Sequence, residues 1–97
     1  MKNLEEIKET LAKHKNKLYE KYSVTEIGIF GSYVREEQKE TSDVDILVEF
    51  EKPVSLLQIV SLENYLSDVL GVKIDVVPKK NIRKELKEYI LKEAVPV

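Results

Sequence analysis

The sequence predicts a small α/β (α+β) domain in which a mixed β-sheet of about three strands is flanked by helices, in the order αβαβαβα. Three short apolar runs rich in β-branched residues, at 23–30, 44–50 and 72–77, have the length and composition of strands. Longer segments with apolar residues at helical spacing lie before, between and after these runs. Because 97 residues leave no room for a second unit, we expect one domain over residues 1–97.

The first helix is predicted over about residues 3–22, where Lys and Glu residues separate the members of an apolar stripe. His14 lies on that stripe, and it is either a partly buried edge residue or a proton carrier or interface residue. Because no second ligand or acid lies nearby in the sequence, the edge position is favoured. The stripe consists of Leu4, Ile7, Leu11, Leu18 and Tyr22.

Local signals mark the ends of the later elements. Pro53 stops the second strand, since proline cannot continue the hydrogen-bond ladder. Ser55 followed by Gln58 is a capping-box pattern that opens a helix, and Gly71 is placed to end it in a left-handed cap. Asn81 can cap the last helix. With so few strands, we expect one edge of the sheet to stay open or to be covered by a partner.

Two acids stand at the start of the second apolar strand. Side chains two apart on a strand point to the same face, so Asp43 and Asp45 project together while Val44 points away. Two ionised carboxylates on one face repel each other unless a cation lies between them. Hard divalent cations, Mg²⁺ above all, bind through one or two carboxylates together with substrate phosphates. The pair therefore predicts a metal site.

A glycine and a serine follow the first strand directly. We expect Gly31 and Ser32 to lead into a short helix over Tyr33 to about Gln38, whose N-terminal N–H groups form an anion site. Gly31 leaves room for a phosphate to approach the backbone. If the first two strands are antiparallel neighbours, this turn and the acid pair share one rim. A phosphate site beside a cation site is the minimum equipment for phosphoryl or nucleotidyl transfer.

These residues match a known family pattern. Gly31-Ser32, ten intervening residues and then Asp43-Val44-Asp45 resemble the GS-x10-DxD signature of the DNA-polymerase-β-like nucleotidyltransferases. Arg35 and Ser42 also fit its extended form, GS-x-x-R followed by SDxD. Over the whole chain, the sequence is most similar to the minimal nucleotidyltransferases, the antitoxin partners of HEPN-type toxins.

The resemblance implies transfer of AMP from ATP, with two Mg²⁺ ions as cofactor. It further implies that the acceptor is a tyrosine hydroxyl on a small helical HEPN-type ribonuclease toxin, so that the chain would be an adenylyltransferase antitoxin. An alternative is an inactive nucleotidyltransferase fold that neutralises its partner by binding alone. Glycosyltransferases that hold a nucleotide-sugar through DxD and a metal are disfavoured, because their folds are far longer than 97 residues.

The resemblance also implies a third catalytic acid, from the strand after the helix that follows DxD, and only Asp75 stands there. Asp43, Asp45 and Asp75 would then be both the catalytic residues and the metal ligands. An aspartate within an apolar strand is costly if it is buried without compensation. The alternative is an exposed residue on a one-sided sheet, for which Lys73 and Lys79 are available as partners.

The same resemblance implies that the nucleotide is bound by Gly31, Ser32 and Arg35. The guanidinium of Arg35 suits phosphate oxygens, but a surface salt bridge to the acids at 36–40 is an equally good interpretation. Gly28, inside the first strand, marks a close approach by either a packed helix or the nucleotide.

Composition narrows the class of protein. A net charge of −2 gives no reason to expect direct binding to nucleic acid or to an anionic membrane. No apolar run approaches the length of about 20 residues that spans a bilayer, and the charged N-terminus is unlike a signal peptide. The chain has no cysteine, which excludes disulfides and thiolate metal sites and is compatible with a reducing cytosol. We therefore expect a cytoplasmic protein.

Overall fold

Four helices and a four-stranded sheet form the computed structural model, which describes residues 2–97. The α/β class and the mixed sheet are confirmed, and the sheet has one strand more than predicted. A single 3₁₀ turn, Lys79–Asn81, precedes the last helix. In chain order the elements are α1 Leu4–Lys13, α2 Lys15–Tyr22, β1 Val24–Phe30, β2 Val44–Phe50, α3 Leu56–Leu70, β3 Ile74–Pro78, α4 Lys84–Glu93 and β4 Val95–Pro96.

The single first helix predicted over residues 3–22 is wrong, because the segment breaks into α1 and α2 at His14. His14 leaves helical geometry, with φ −105° and ψ 5°, and its Nδ1 lies 2.8 Å from the carbonyl oxygen of Thr10. Its ring is partly buried and meets Tyr65 edge-on at 6.2 Å between ring centroids. These contacts agree with the edge-residue interpretation of His14.

The sheet has the strand order β3-β2-β1-β4 and mixes directions. β1 and β2 are antiparallel, as the shared-rim prediction required, with Phe30 opposite Asp45. β2 and β3 are parallel, which the long crossover through α3 allows. β4 pairs antiparallel with β1 through Ile29 and Val95. β4 thus covers part of the β1 edge with the chain's own C-terminal residues, while β3 is the strand at the other edge of the sheet.

The core lies on one face of the sheet, beneath α1, α2 and α3. Alternate residues of the strands point into it, as the two-residue period of a strand requires. By contrast, α4 buries none of its side chains, and Leu86 and Tyr89 remain 46% and 60% exposed. The fully enclosed core side chains are Ile7, Leu11, Leu18, Ile29, Val44, Ile46, Val48, Leu62, Leu66 and Leu70.

Local sequence determines the ends of α3 but not those of its neighbours. Ser55 and Gln58 form the predicted capping box, and Gly71 ends the helix at φ 70°. The third strand begins at Ile74, two residues later than predicted. The predicted cap at Asn81 is wrong, because Asn81 lies in the 3₁₀ turn and α4 starts after Arg83. No helix within residues 2–97 combines the length and apolar composition needed to cross a bilayer.

Candidate active site

The three predicted acids lie at the beginnings of two neighbouring parallel strands. Asp43 directly precedes β2, and Asp45 and Asp75 are the second residues of β2 and β3. Asp45 and Asp75 are direct partners in the β2–β3 register. Because the residues that follow them, Ile46 and Val76, are buried in the core, both aspartates project from the opposite face. The structure therefore brings the three aspartates together at one end of the sheet.

The electrostatics of Asp45 reflect this crowding. Partial burial, followed by repulsion from Asp75 and Asp43, raises the pKa of Asp45 to about 6 from its ordinary 3.8. The nearby guanidinium of Arg35 opposes this rise but does not cancel it. Within residues 2–97, no hydrogen bond reaches the carboxylate of Asp45 or Asp75. Asp45 is thus a half-buried acid that lacks a partner for its charged form.

Gly31 allows the turn to lie against that acid. Its φ of 85° is in the left-handed region, and a Cβ there would overlap Asp45 Oδ2 and approach the Asp45 Cγ to 3.0 Å. Any side chain at this position would displace the carboxylate. Gly31 is buried, and Ser32, which follows it directly, is partly exposed. The glycine-serine turn and the acids thus share one rim.

The short helix predicted over Tyr33–Gln38 is wrong. Ser32 to Glu36 form one turn, closed by a hydrogen bond of 2.9 Å from the Glu37 N–H to the Ser32 carbonyl oxygen. Glu36 has φ 59°, the left-handed geometry that ends a helix, so the segment stops after one turn. Tyr33, 2% exposed, anchors this turn in the core. No helix dipole is therefore available here, and an anion would have to be held by N–H groups and side chains of the turn.

Arg35 makes two ion pairs. Its Nε donates to Glu37 at 2.7 Å, within the acidic run proposed as the alternative to phosphate binding. Its Nη1 donates to Glu93, at the end of α4, in a very short ion pair. Glu93 also accepts from the backbone N–H of Gly31 at 3.4 Å. Sequence reasoning missed Glu93, since it belongs to no motif and lies more than 50 residues from the turn.

The two lysines considered as partners of Asp75 pair elsewhere. Lys73 lies 3.9 Å from Asp43, and Lys79 lies 3.5 Å from Glu49 and 3.6 Å from Glu26. Asp75 is exposed, as the alternative to a catalytic role expected, but it is paired with neither Lys73 nor Lys79. Gly28 faces the C-terminal segment, with a hypothetical Cβ 3.6 Å from the Ala94 Cβ and 3.5 Å from the Val95 oxygen. The close approach at Gly28 is thus made by the chain itself.

The donor set of this rim suits a hard cation. Asp43, Asp45 and Asp75 offer carboxylate oxygens only, and Asp45 is a half-buried acid repelled by its neighbours, which a bound cation would relieve. Among residues 2–97, no three acidic or histidine side chains already converge tightly enough to enclose an ion. That openness fits Mg²⁺, which is usually held by one or two carboxylates with substrate phosphates and water rather than by a protein cage.

The rim is open to solvent. A cavity of about 390 Å³ lies near the far end of β2, lined by residues that include Phe50, Glu51 and Lys87 but by none of the three aspartates. The Gly31 turn does not line this cavity either, so the cavity is separate from the candidate site.

Comparisons with known proteins agree with this geometry. A family model described as a nucleotidyltransferase domain matches residues 11–97. A Methanocaldococcus jannaschii protein provisionally named protein adenylyltransferase MJ1217 is 62% identical over 82 residues, covering 84% of each chain. Protein adenylyltransferase MntA from Thermococcus cleftensis is 50% identical over 97 residues, covering 100% of this chain and 98% of its own.

Solved structures share the fold. A provisionally assigned minimal nucleotidyltransferase matches with a TM-score of 0.76 and 32% identity, covering 94% of this chain and 95% of its own. A chain from the complex of tri-AMPylated Shewanella oneidensis HEPN toxin with MNT antitoxin matches with a TM-score of 0.67 and 20% identity, covering 93% and 70%. The second likeness concerns the fold alone. Because the nucleotidyltransferase family model matches most of its length, and the minimal nucleotidyltransferase above matches it at 32% identity, the chain belongs to the minimal nucleotidyltransferases.

Proposed function

We propose that this chain is an Mg²⁺-dependent protein adenylyltransferase that transfers AMP from ATP to a tyrosine hydroxyl of a HEPN-type toxin, and so acts as an antitoxin. The observation that carries the proposal is the meeting of Asp45, Asp75 and the Gly31 turn on one rim. Support for the acceptor comes from relatives named protein adenylyltransferases and from the shared fold with the complex that contains an AMPylated HEPN toxin.

The acids give the rim its metal-binding capacity. Asp43 and Asp45 would hold Mg²⁺ together with the nucleotide phosphates, and Asp75 would complete the set beside Asp45. Bound Mg²⁺ supplies charge neutralisation of the triphosphate and a lowered pKa for the attacking hydroxyl. The raised pKa of Asp45 fits this role, because a cation would relieve the repulsion that Asp75 and Asp43 impose.

The turn and the acids would divide the remaining work. Ser32 and Arg35 would bind the departing phosphates, through the Ser32 hydroxyl and the guanidinium N–H groups of Arg35. In the transfer, the tyrosine oxygen forms a bond to the α-phosphorus, the bond from that phosphorus to the bridging oxygen breaks, and pyrophosphate leaves. Asp75, exposed on β3, is the candidate to take the hydroxyl proton.

The open rim explains why a partner is required. Within the described chain no second domain covers the acids, so the acceptor protein itself must bring the hydroxyl and exclude water. Base selectivity is expected to be loose, because the groups assigned to the nucleotide are charged or polar groups that suit its phosphates.

The test uses ATP labelled at the α-phosphate, Mg²⁺ and the purified HEPN-type partner. We expect label on a tyrosine of the partner with the wild type, and none with Asp43→Asn or Asp45→Asn. Asp68→Asn, an exposed acid on α3, is the matched control and should transfer normally. Neutralisation of the partner without any label would instead favour the inactive binding module, and full transfer by Asp45→Asn would refute the metal role.

A further inference from the structure

The C-terminal strand places one more acid against the turn. β4 pairs with β1 through Gly28 opposite Pro96 and Ile29 opposite Val95. Continuing that antiparallel register by two residues places Glu93 opposite Gly31. The side chain of Glu93 indeed contacts the Gly31 N–H at 3.4 Å, and its other oxygen pairs with Arg35. The position of Glu93 is therefore determined by strand pairing rather than by its helix alone.

Burial distinguishes the two members of the Arg35–Glu93 pair. The Glu93 side chain is 12% exposed, whereas that of Arg35 is 42% exposed. A carboxylate enclosed this far is costly unless it is paired, and its partners are the guanidinium and one backbone N–H of the turn. Glu93 is thus the more enclosed member of the pair, and Arg35 keeps part of its side chain accessible to solvent.

We propose that Glu93 is a positioning residue for nucleotide binding, which holds Arg35 and the Gly31 turn in the arrangement that receives the phosphates. This inference rests on the proposed function, since it assigns Arg35 a phosphate to bind. Glu93 does not act as a stand-in for phosphate in an open site, because it is enclosed. A guanidinium has five N–H donors, so the contacts to Glu37 and Glu93 leave others for a phosphate.

The orientation of Arg35 is the physical reason for an effect on affinity. A free arginine side chain samples many rotamers, and fixing it on binding reduces affinity. Glu93 and Glu37 hold Nη1 and Nε before the nucleotide arrives, so that part of this ordering is already complete. Removing the charge at residue 93 leaves Arg35, among the described residues, with an ion pair to the exposed Glu37 alone.

Glu93→Gln tests the proposal, because glutamine keeps the size and can still accept from the Gly31 N–H. We expect KM for MgATP to rise about 5- to 30-fold, as for loss of one charge-assisted contact, with kcat at saturation changed by less than about threefold. Glu88→Gln is the matched control on the same helix, since Glu88 is 85% exposed and pairs only with Lys92. It should leave both parameters unchanged.

A double-mutant cycle distinguishes positioning from general damage to the fold. If Glu93 acts through Arg35, adding Glu93→Gln to Arg35→Gln should change nucleotide affinity by less than about twofold. Additive losses would overturn the proposal, as would tighter MgATP binding by Glu93→Gln, which would make Glu93 a competitor. If Glu93→Gln does not fold, Glu93→Asp keeps the charge but withdraws it by one methylene, and wild-type affinity in that variant would also overturn the proposal.

Calorimetry with MgATP on the wild type separates the two levels of inference. Nucleotide binding by the wild type together with weaker binding by Glu93→Gln supports the proposal. Binding by the wild type with identical affinity in Glu93→Gln overturns the role of Glu93 and leaves the proposed function intact. No binding by the wild type, with or without the toxin partner, overturns the proposed function and the role of Glu93 together.

Discussion

Neutralising Asp45 should stabilise the ligand-free protein. The folded chain raises the pKa of Asp45 to about 6, so the ionised carboxylate is less favourable in the fold than in the unfolded chain. Asp45→Asn keeps the shape of the side chain and removes the charge. We expect the variant to be more stable than the wild type at pH 7.5 while it loses nucleotidyl transfer, which pairs a gain in stability with a loss of function.

The size of the effect follows from the shift. A rise from 3.8 to about 6 corresponds to about 3 kcal/mol at 1.36 kcal/mol for each pKa unit. Because Asp45 is only half-buried, solvent screening reduces this to about 1–2 kcal/mol. For a domain of this size, that increase in the free energy of unfolding corresponds to an increase in Tm of about 5–10 °C.

The pH dependence has a definite sign. Below about pH 4, Asp45 is protonated in both the folded and the unfolded chain, so Asp45→Asn has no electrostatic advantage. As pH rises from about 4 to 6, the unfolded chain releases this proton first and the wild type loses relative stability. Above about pH 6 the difference between wild type and variant is complete.

Urea unfolding of both proteins between pH 4 and 8, without divalent cations, measures this difference directly. Subtracting the free energy of unfolding of the wild type from that of the variant at each pH cancels the contributions of the other acids that titrate alike in the two proteins. Asp68→Asn serves as the control and should show no such gain, since Asp68 is an exposed residue of α3 outside the acid cluster. Equal or lower stability of Asp45→Asn at pH 7.5, or a gain that does not grow with pH, would refute the electrostatic account.

The remaining predictions concern single positions. Gly31→Ala should destabilise the fold by about 1–3 kcal/mol and abolish transfer, because its Cβ would overlap the Asp45 carboxylate and its φ is positive. Gly71→Ala has φ 70° but no atom within 4 Å, so it should cost only about 1 kcal/mol in urea unfolding and keep full transfer; similar losses of activity in both variants would contradict the steric reasoning. Ser55→Ala removes the capping box and should lower the free energy of unfolding by about 1 kcal/mol with transfer unchanged, whereas a thermal melt identical to the wild type would argue against the cap. Asp75→Asn should reduce kcat far more than MgATP affinity, and an unchanged rate would return Asp75 to a surface role.

Features encoded within a few residues were predictable from the sequence. The capping box of α3 and the left-handed cap at Gly71 depend only on local backbone chemistry, and both are present. The glycine-serine turn and Asp45 were also predictable, because residues at strand ends meet when the strands are antiparallel neighbours. The position of Asp75 beside Asp45 needed the further knowledge that β2 and β3 are parallel and in register.

Features that depend on contacts distant in sequence were missed. β4 has two residues, too few to show alternation, and it exists because β1 offers it a free edge. The role of Glu93 follows from that pairing, so no motif near it in the sequence indicates the turn. The break at His14 and the single turn ending at Glu36 each depend on one residue leaving helical geometry within a sequence of otherwise helical spacing.

Strand directions explain why the candidate site forms at a single end of the sheet. The C-terminal end of β1 carries Gly31, and it meets the start of β2 at Asp45 because these strands are antiparallel. β3 begins at the same end of the sheet because it is parallel to β2, and β4 begins there because it is antiparallel to β1. One strand end and three strand beginnings therefore converge, and each contributes a group: the turn, Asp45, Asp75 and, just before β4, Glu93. If β3 ran antiparallel to β2, Asp75 would lie at the far end of the sheet, and the same residues would form no cluster.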